Sequence, residues 1–198
     1  LADCGVSLLD APNDVMATAL KYLGLDPNSE SPDDLAKAEE LLAKVQPHIR
    51  YFHSSQYIDD LANGETCLAM GYSGDILQAS DRAAEANQGV EVQYVIPKEG
   101  AVVWFDMLAI PADAPHPENA HAFIDFVMQP QIAADISNYV LYANANQASL
   151  PMVDEEVRTN PSIYPTDEIK KNLFPTLARS ARYDRLLKRS WTKLKAGQ

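Results

Sequence analysis

Apolar residues recur every three or four positions along much of this chain, which is the spacing of amphipathic helices. Leu35, Ala38 and Leu42 follow it, and Ser31 followed by Pro32 ahead of them is typical of a helix start. Gly24 is a predicted helix stop. Helices are predicted in this way over residues 13–23, 31–45, 54–62, 76–86, 116–127, 130–139, 167–173 and 178–195. We expect Ser54 or Ser55 to cap the third of them.

Shorter stretches are rich in β-branched and aromatic residues or alternate between apolar and polar positions, as strands do. They cover residues 48–53, 66–70, 90–96 and 102–110. Strands and helices alternate along the chain, so we expect an α/β fold with a mostly parallel sheet. Residues 143–165 are rich in Asn and Pro and are predicted to be loops.

The formal net charge of −12 makes nucleic acid an unfavourable partner and a small cation a favourable one. The charge is uneven: nine basic residues and one acidic residue follow position 168, so this segment carries +8 and residues 1–168 carry −20. The basic segment is either a solvated helix face or a docking face for an acidic partner, and the first interpretation is favoured.

Cys4 and Cys67 are the two cysteines of the chain. A bridge between them and a pair of buried free thiols are about equally compatible with the sequence. The sequence has no C-x-x-C motif and no apolar run of the roughly 20 residues that a membrane span needs. The chain starts at Leu1 and shows no targeting segment, and we expect it to be a fragment or a processed form.

Three acidic residues are candidates for a binding site. Asp14 starts a helix just after a strand-like run, and Asp75 follows Tyr72 at the end of the predicted strand 66–70. Asp106 directly follows two aromatic residues, of which Trp104 is the first. Ligands of open α/β sheets bind at the carboxyl ends of strands. An aromatic face together with a carboxylate suits an organic cation, so these residues predict a cation site.

Each candidate also has a plain structural interpretation. Asp75 as a helix cap and Tyr72 as half-buried packing account for the same run of residues. Paired carboxylates are also the acid and nucleophile of glycosidases, so a glycosidase-like hydrolase is an alternative. His116 and His121 are five positions apart, a poor spacing for a metal pair on one helix face, and we expect surface histidines there. The sequence lacks a nucleophile elbow, a zinc-protease motif, a phosphate loop and a dinucleotide-binding motif.

Several runs of residues, taken in order, resemble the periplasmic polyamine-binding proteins of ABC transporters. They are Cys-Gly-Val-Ser at 4–7, Tyr-Phe-His-Ser-Ser-Gln-Tyr-Ile at 51–58, Asp-Leu-Ala-Asn-Gly at 60–64, Gly-Tyr-Ser-Gly-Asp at 71–75, Ile-Pro-Lys-Glu-Gly-Ala at 96–101, Tyr-Ala-Asn-Ala-Asn at 142–146 and Arg-Ser-Trp-Thr-Lys at 189–193. The resemblance spans nearly the whole chain and covers about the carboxyl-terminal half to two-thirds of such a protein.

The resemblance implies a receptor that binds a polyamine without catalysis, with putrescine favoured and spermidine possible. It implies ligand carboxylates and aromatic walls at Asp14, Tyr72, Asp75, Trp104, Asp106 and Tyr142, and a disulfide between Cys4 and Cys67. The family pattern has Glu in place of Asp14, Trp in place of Tyr72 and Phe in place of Trp104. Because these differences alter reach and ring size, the choice between a diamine and a triamine stays open. The remaining alternative is a receptor for a different cation.

The resemblance also implies a periplasmic-binding-protein-like (type II) fold of two α/β lobes, with the ligand in the cleft between them. Residues 1–88 and 139–198 correspond to the second lobe, and residues 89–138 to the return into a first lobe that is incomplete in this chain. The implied location is the periplasm and the implied partners are the subunits of an ABC permease. The resemblance implies neither a cofactor nor a metal ion.

Overall fold

The computed structural model describes residues 4–197 of the chain. Within this range the strands are β1 (Val6–Leu8), β2 (Ile49–Phe52) and β3 (Leu68–Ala69). The α-helices are α1 (Pro12–Tyr22), α2 (Pro32–Val45), α3 (Tyr57–Ala62), α4 (Ser73–Ala86), α5 (Pro117–Val127), α6 (Pro130–Val140), α7 (Glu155–Thr159), α8 (Asp167–Lys170) and α9 (Ala181–Lys195). Two 3₁₀ helices span Gln46–His48 and Gln147–Met152.

The three strands form a parallel sheet in the order β2-β1-β3, which confirms the predicted fold class. Val6 of β1 lies opposite Ile49 of β2 and Leu68 of β3. All three residues of the central strand are buried, as expected of a strand with a neighbour on each side. Each strand leads into a helix, so the amino ends of α1, α3 and α4 follow the carboxyl ends of β1, β2 and β3.

The core of the sheet domain is built from the apolar faces of α1, α2, α3, α4 and α9 around β1. Its most completely buried apolar side chains are Val15, Met16, Leu20, Ala38, Tyr57 and Ala79. From α9, Tyr183, Leu187 and Trp191 join this core, whereas the basic residues of the same helix are exposed. Helix α9 is therefore amphipathic: its apolar face is buried in the core, and its basic residues lie on the exposed face.

Cys4 and Cys67 form a disulfide, with 5.5 Å between their Cα atoms. Cys4 precedes β1 and Cys67 precedes β3, so the bridge joins the amino ends of two neighbouring parallel strands. The pairing implied by the family resemblance is confirmed, and the free-thiol alternative is wrong.

Two of the predicted strands are wrong. Residues 90–96 form no ladder, and of residues 102–110 Val102 alone forms an isolated bridge, to Phe174. Val95 is 65% exposed, and the backbone carbonyl of Val92 accepts a hydrogen bond from the Ser80 hydroxyl. Alternation makes a segment suitable for a half-buried strand, but a strand also needs a neighbour, and no described strand pairs with either segment.

Local capping was predicted correctly at one helix and wrongly at another. The Ser31 side chain accepts a hydrogen bond from the Asp34 backbone N–H and caps α2. Just before α3, however, the imidazole Nδ1 of His53 accepts hydrogen bonds from the backbone N–H groups of Ser55 and Gln56, with N···N distances of 3.2 and 2.9 Å. The N-cap residue of α3 is Gln56, whose side chain makes no capping hydrogen bond, so the expected serine cap is wrong and the bonds to His53 order the turn ahead of the helix.

The chain divides into two compact units, and the boundary falls after Trp104 and again after Thr166. The first unit holds the sheet, α1–α4, α8 and α9; the second holds α5, α6, the second 3₁₀ helix and α7. In the second unit, Ala133, Ala134 and Ser137 of α6 are buried, whereas α5 has no buried residue. The lobe boundaries implied by the resemblance concern complete family members and stay a prediction.

No helix within residues 4–197 is long and apolar enough to cross a membrane. No group of three or more His, Cys, Asp or Glu side chains in this range is arranged to hold a metal ion. His116 is the N-cap residue of α5, and both His116 and His121 are exposed.

Candidate ligand-binding site

The carboxyl edge of the sheet carries two of the predicted acids. Asp14 lies in the first turn of α1, just after β1, and Asp75 lies in the first turn of α4, just after β3. Because β1 and β3 are neighbouring parallel strands, both acids follow strand ends at the same edge of the sheet. This is the position at which open α/β sheets bind ligands.

The Asp75 carboxylate is hydrogen-bonded to Tyr57, a buried tyrosine at the start of α3, the helix that follows β2. The Tyr57 hydroxyl donates a hydrogen bond of 2.7 Å to Asp75 Oδ2, and it accepts a hydrogen bond of 3.0 Å from the backbone N–H of Tyr72. Tyr57 has no exposed surface. The N-cap residue of α4 is Tyr72, whose side chain makes no capping hydrogen bond, and Asp75 lies in the first turn instead of at the N-cap position.

Tyr72, three positions before Asp75, forms an aromatic pair with Trp104. The ring centroids of Tyr72 and Trp104 are 4.9 Å apart with an interplanar angle of 70°, an edge-to-face contact. Tyr72 is half-buried and Trp104 is 42% exposed. The Tyr72–Trp104 pair therefore retains accessible aromatic surface, which attracts organic cations through the negative potential of the ring faces.

Asp14 is half-buried, and this burial raises the pKa of its carboxyl above the ordinary value. The physical cause is desolvation, which disfavours the charged form. A bound cation would stabilise the charged carboxylate, which makes Asp14 a suitable partner for an ammonium group.

Asp10, also just after β1, is bonded to side chains of α9. Its carboxylate accepts hydrogen bonds from Trp191 Nε1 at 2.9 Å and from Lys195 Nζ at 2.8 Å. The hydrogen bond from Lys195, followed by that from Trp191, lowers the pKa of Asp10. Asp10 therefore anchors α9 to the sheet domain, and Asp14 and Asp75 are the acids that suit a ligand.

Asp106 and Tyr142 belong to the second unit. Asp106 is exposed in an irregular segment. Tyr142 is half-buried and follows Leu141, whose positive φ of 58° ends α6. The loop after Tyr142 is ordered by Asn144, whose side chain donates to Ser137 Oγ at 2.8 Å and accepts from Ser149 Oγ at 2.9 Å. The roles of Asp106 and Tyr142 in binding stay predictions.

The sequence interpretation did not identify Tyr57 as part of this site. Tyr57 is 18 positions from Asp75 and lies on another helix, so no local pattern links the two side chains. Gly71 is the available signal. A Cβ atom at Gly71 would lie 2.5 Å from Tyr57 Cε2 and 2.8 Å from Ile76 Cδ1, so the strand end packs directly on the tyrosine ring.

Comparison with known proteins identifies the family. Residues 4–166 match the family described as bacterial extracellular solute-binding protein. The chain is 52% identical to the putrescine-binding periplasmic protein PotF of Escherichia coli and 50% identical to the putrescine-binding periplasmic protein SpuD of Pseudomonas aeruginosa. Both alignments cover 100% of this chain and 54% of the relative, so the chain spans about half the length of these curated relatives.

The fold leads to the same group of proteins. The spermidine/putrescine ABC transporter substrate-binding protein PotD of Streptococcus pneumoniae superposes with a TM-score of 0.80 at 25% identity. This match covers 98% of the chain and 58% of the solved structure. The fold is that of periplasmic binding proteins, present here in part, and the chain belongs to the bacterial extracellular solute-binding proteins.

Proposed function

We propose that this chain forms the larger part of a periplasmic receptor that captures a polyamine and delivers it to an ABC permease. Putrescine is the favoured ligand and spermidine the second candidate. The observation that carries the proposal is the Asp75 carboxylate, which accepts a hydrogen bond from buried Tyr57, whose hydroxyl also accepts the backbone N–H of Tyr72, a member of the Tyr72–Trp104 pair. The names of the relatives support the same ligand class.

Each part of the proposed site has a separate task. Asp75 and Asp14 pair with ammonium groups, and the Tyr72–Trp104 pair contacts the methylene chain and adds cation–π attraction. Asp106 and Tyr142 are included on the sequence prediction. The receptor binds its ligand and releases it unchanged, and the glycosidase-like alternative is not favoured because the relatives are solute-binding proteins.

Calorimetric titration of the full-length gene product with putrescine and spermidine tests the proposal. Binding of at least one polyamine is expected, and 1,4-butanediol, which has the same carbon chain without ammonium groups, should not bind. Recovered ligand should be chemically unchanged. Absence of binding heat with both polyamines would refute the proposal, whereas butanediol binding as tightly as putrescine would remove the charge pairing from it.

A matched pair of variants tests the assignment of Asp75. Asp75→Ala should weaken polyamine binding by roughly 2–5 kcal/mol, because it leaves a desolvated ammonium group without its partner. Asp60→Ala is the control, since Asp60 also accepts a tyrosine hydrogen bond, from Tyr51, in the first unit. Equal affinities of Asp75→Ala and the unmodified protein would remove Asp75 from the site.

A further inference from the structure

We infer that Tyr57 is a positioning residue of the ammonium site, acting on the ligand through Asp75. The inference rests on the proposed function and deepens it. Tyr57 itself is fully buried, so its ring has no surface with which to contact a ligand. Its hydroxyl is bonded to two positions at the start of α4: the backbone N–H of the N-cap residue Tyr72 and the carboxylate of Asp75 in the first turn.

The hydroxyl group uses both of its hydrogen-bonding capacities in this arrangement. It donates to Asp75 Oδ2 and accepts from the Tyr72 N–H, so one oxygen atom lies between the backbone that carries the aromatic wall and the carboxylate that pairs with the cation. The Tyr57 hydroxyl therefore links the Tyr72 backbone to the Asp75 carboxylate.

Packing holds the tyrosine ring in place. Tyr57 belongs to the main apolar core, together with Ile76 and Leu61. Gly71 lies against the ring so closely that a Cβ atom there would be 2.5 Å from Cε2 and 2.9 Å from Cζ of Tyr57. The ring therefore has no room to move toward the backbone at Gly71.

This arrangement pre-organises the carboxylate for its ligand. A side chain that is already ordered loses less conformational entropy on binding than one that is free to change rotamer. Removal of the hydroxyl should therefore weaken polyamine binding roughly three- to tenfold, without removing any atom that touches the ligand. The effect should require Asp75, because Asp75 is the group through which Tyr57 acts.

The chain supplies a matched control for this test. The Tyr51 hydroxyl donates a hydrogen bond of 2.5 Å to Asp60 Oδ2, so Tyr51→Phe removes the same kind of interaction from the same unit. We expect Tyr57→Phe to lower the putrescine affinity of the full-length gene product in calorimetry and Tyr51→Phe to leave it unchanged. Measurements are made well below the unfolding temperature of each variant.

A double-mutant cycle separates positioning from a general structural effect. In the Asp75→Ala background, Tyr57→Phe should cause no further loss of affinity, because the group that it orders is absent. A full additional loss in that background would overturn the inference, and so would an unchanged affinity of Tyr57→Phe alone. If the unmodified protein binds no polyamine, the proposed function fails instead, so the two failures are distinguishable.

A second measurement covers the case in which Tyr57→Phe does not fold. 3-Fluorotyrosine at position 57 keeps the hydroxyl, and its ¹⁹F resonance reports on the hydrogen bond to Asp75. Putrescine should shift this resonance in the otherwise unmodified protein and leave it unshifted in Asp75→Ala. If calorimetry shows that the protein binds putrescine but saturating putrescine leaves the ¹⁹F chemical shift unchanged, the inference is overturned.

Discussion

Removal of the disulfide should lower the stability of this protein substantially while leaving its binding chemistry in place. The bridge joins Cys4 to Cys67 across a sequence separation of 63 residues, and the enclosed segment contains β1, α1, α2, the first 3₁₀ helix, β2 and α3. A cross-link over so long a segment restricts the unfolded chain, because the two cysteines are otherwise far apart in most unfolded conformations.

The size of the effect follows from the length of the enclosed segment. For a loop of this length the chain-entropy relation gives a stabilisation of about 4 kcal/mol at 25 °C. Unfolding temperatures of domains of this size change by about 2–4 °C per kcal/mol. The bridge should therefore raise the unfolding temperature by roughly 8–16 °C.

The assay is calorimetric unfolding of the full-length gene product with both cysteines replaced by serine. The unmodified protein, with and without a reductant, is measured in parallel. The variant and the reduced protein should unfold at similar temperatures, both well below that of the oxidised protein. A decrease of less than about 2 °C would refute the loop-entropy reasoning, since it corresponds to about 1 kcal/mol or less.

Ligand binding gives a second test of the same reasoning. The bridge lies at the amino ends of β1 and β3, whereas Asp14 and Asp75 follow their carboxyl ends. Well below its unfolding temperature, the variant without the bridge should therefore bind putrescine as tightly as the oxidised protein, if the proposed function holds. A large loss of affinity under those conditions would show that the bridge also shapes the site.

Three further predictions concern single residues. Burial raises the pKa of the Asp14 carboxyl above its ordinary value of 3.8, so over the pH range between these two pKa values the folded protein keeps a proton that the unfolded chain releases. The stability of the ligand-free protein therefore falls as the pH rises from 3.8 through the pKa of the folded state. Asp14→Asn should be at least as stable as the unmodified protein at pH 7 and bind polyamine more weakly, and lower thermal stability at pH 7 would contradict this. Gly71→Ala should cost roughly 1–3 kcal/mol in denaturant unfolding, because its Cβ overlaps the Tyr57 ring; unchanged stability would show that the ring can move. Leu20→Ala, at a fully buried site, should cost about 2–5 kcal/mol, with Leu177→Ala, 60% exposed, as a near-neutral control; similar costs for both would contradict the assigned core.

Features that depend on neighbouring residues were predicted well from the sequence. The Ser31 cap of α2 was predicted correctly, and Gly24, with a φ of 71°, lies just beyond the end of α1. Both features need only residues within a few positions. The α/β class was also predictable, since it follows from the order of apolar patterns along the chain.

Features that need a distant partner were not predictable in the same way. Residues 90–96 have the alternation of a strand, but no described strand lies beside them to form a ladder. The resemblance implied the bridge, whereas composition alone left Cys4 and Cys67 equally compatible with free thiols. The expected serine cap of α3 is wrong because the helix begins later, with Gln56 as its N-cap residue, and the ring nitrogen of His53 accepts two backbone N–H groups of the preceding turn.

The sequence by itself determined the chemical type of the candidate site: an aromatic residue and a carboxylate at the end of a predicted strand, in a strongly acidic chain. The tertiary structure decided how that carboxylate is held. Tyr57 and Asp75 lie on different helices and meet because β2 and β3 flank β1 in one parallel sheet, so the strands bring the starts of α3 and α4 to the same edge. Hydrogen bonds between distant residues depend on this placement, which no local pattern encodes.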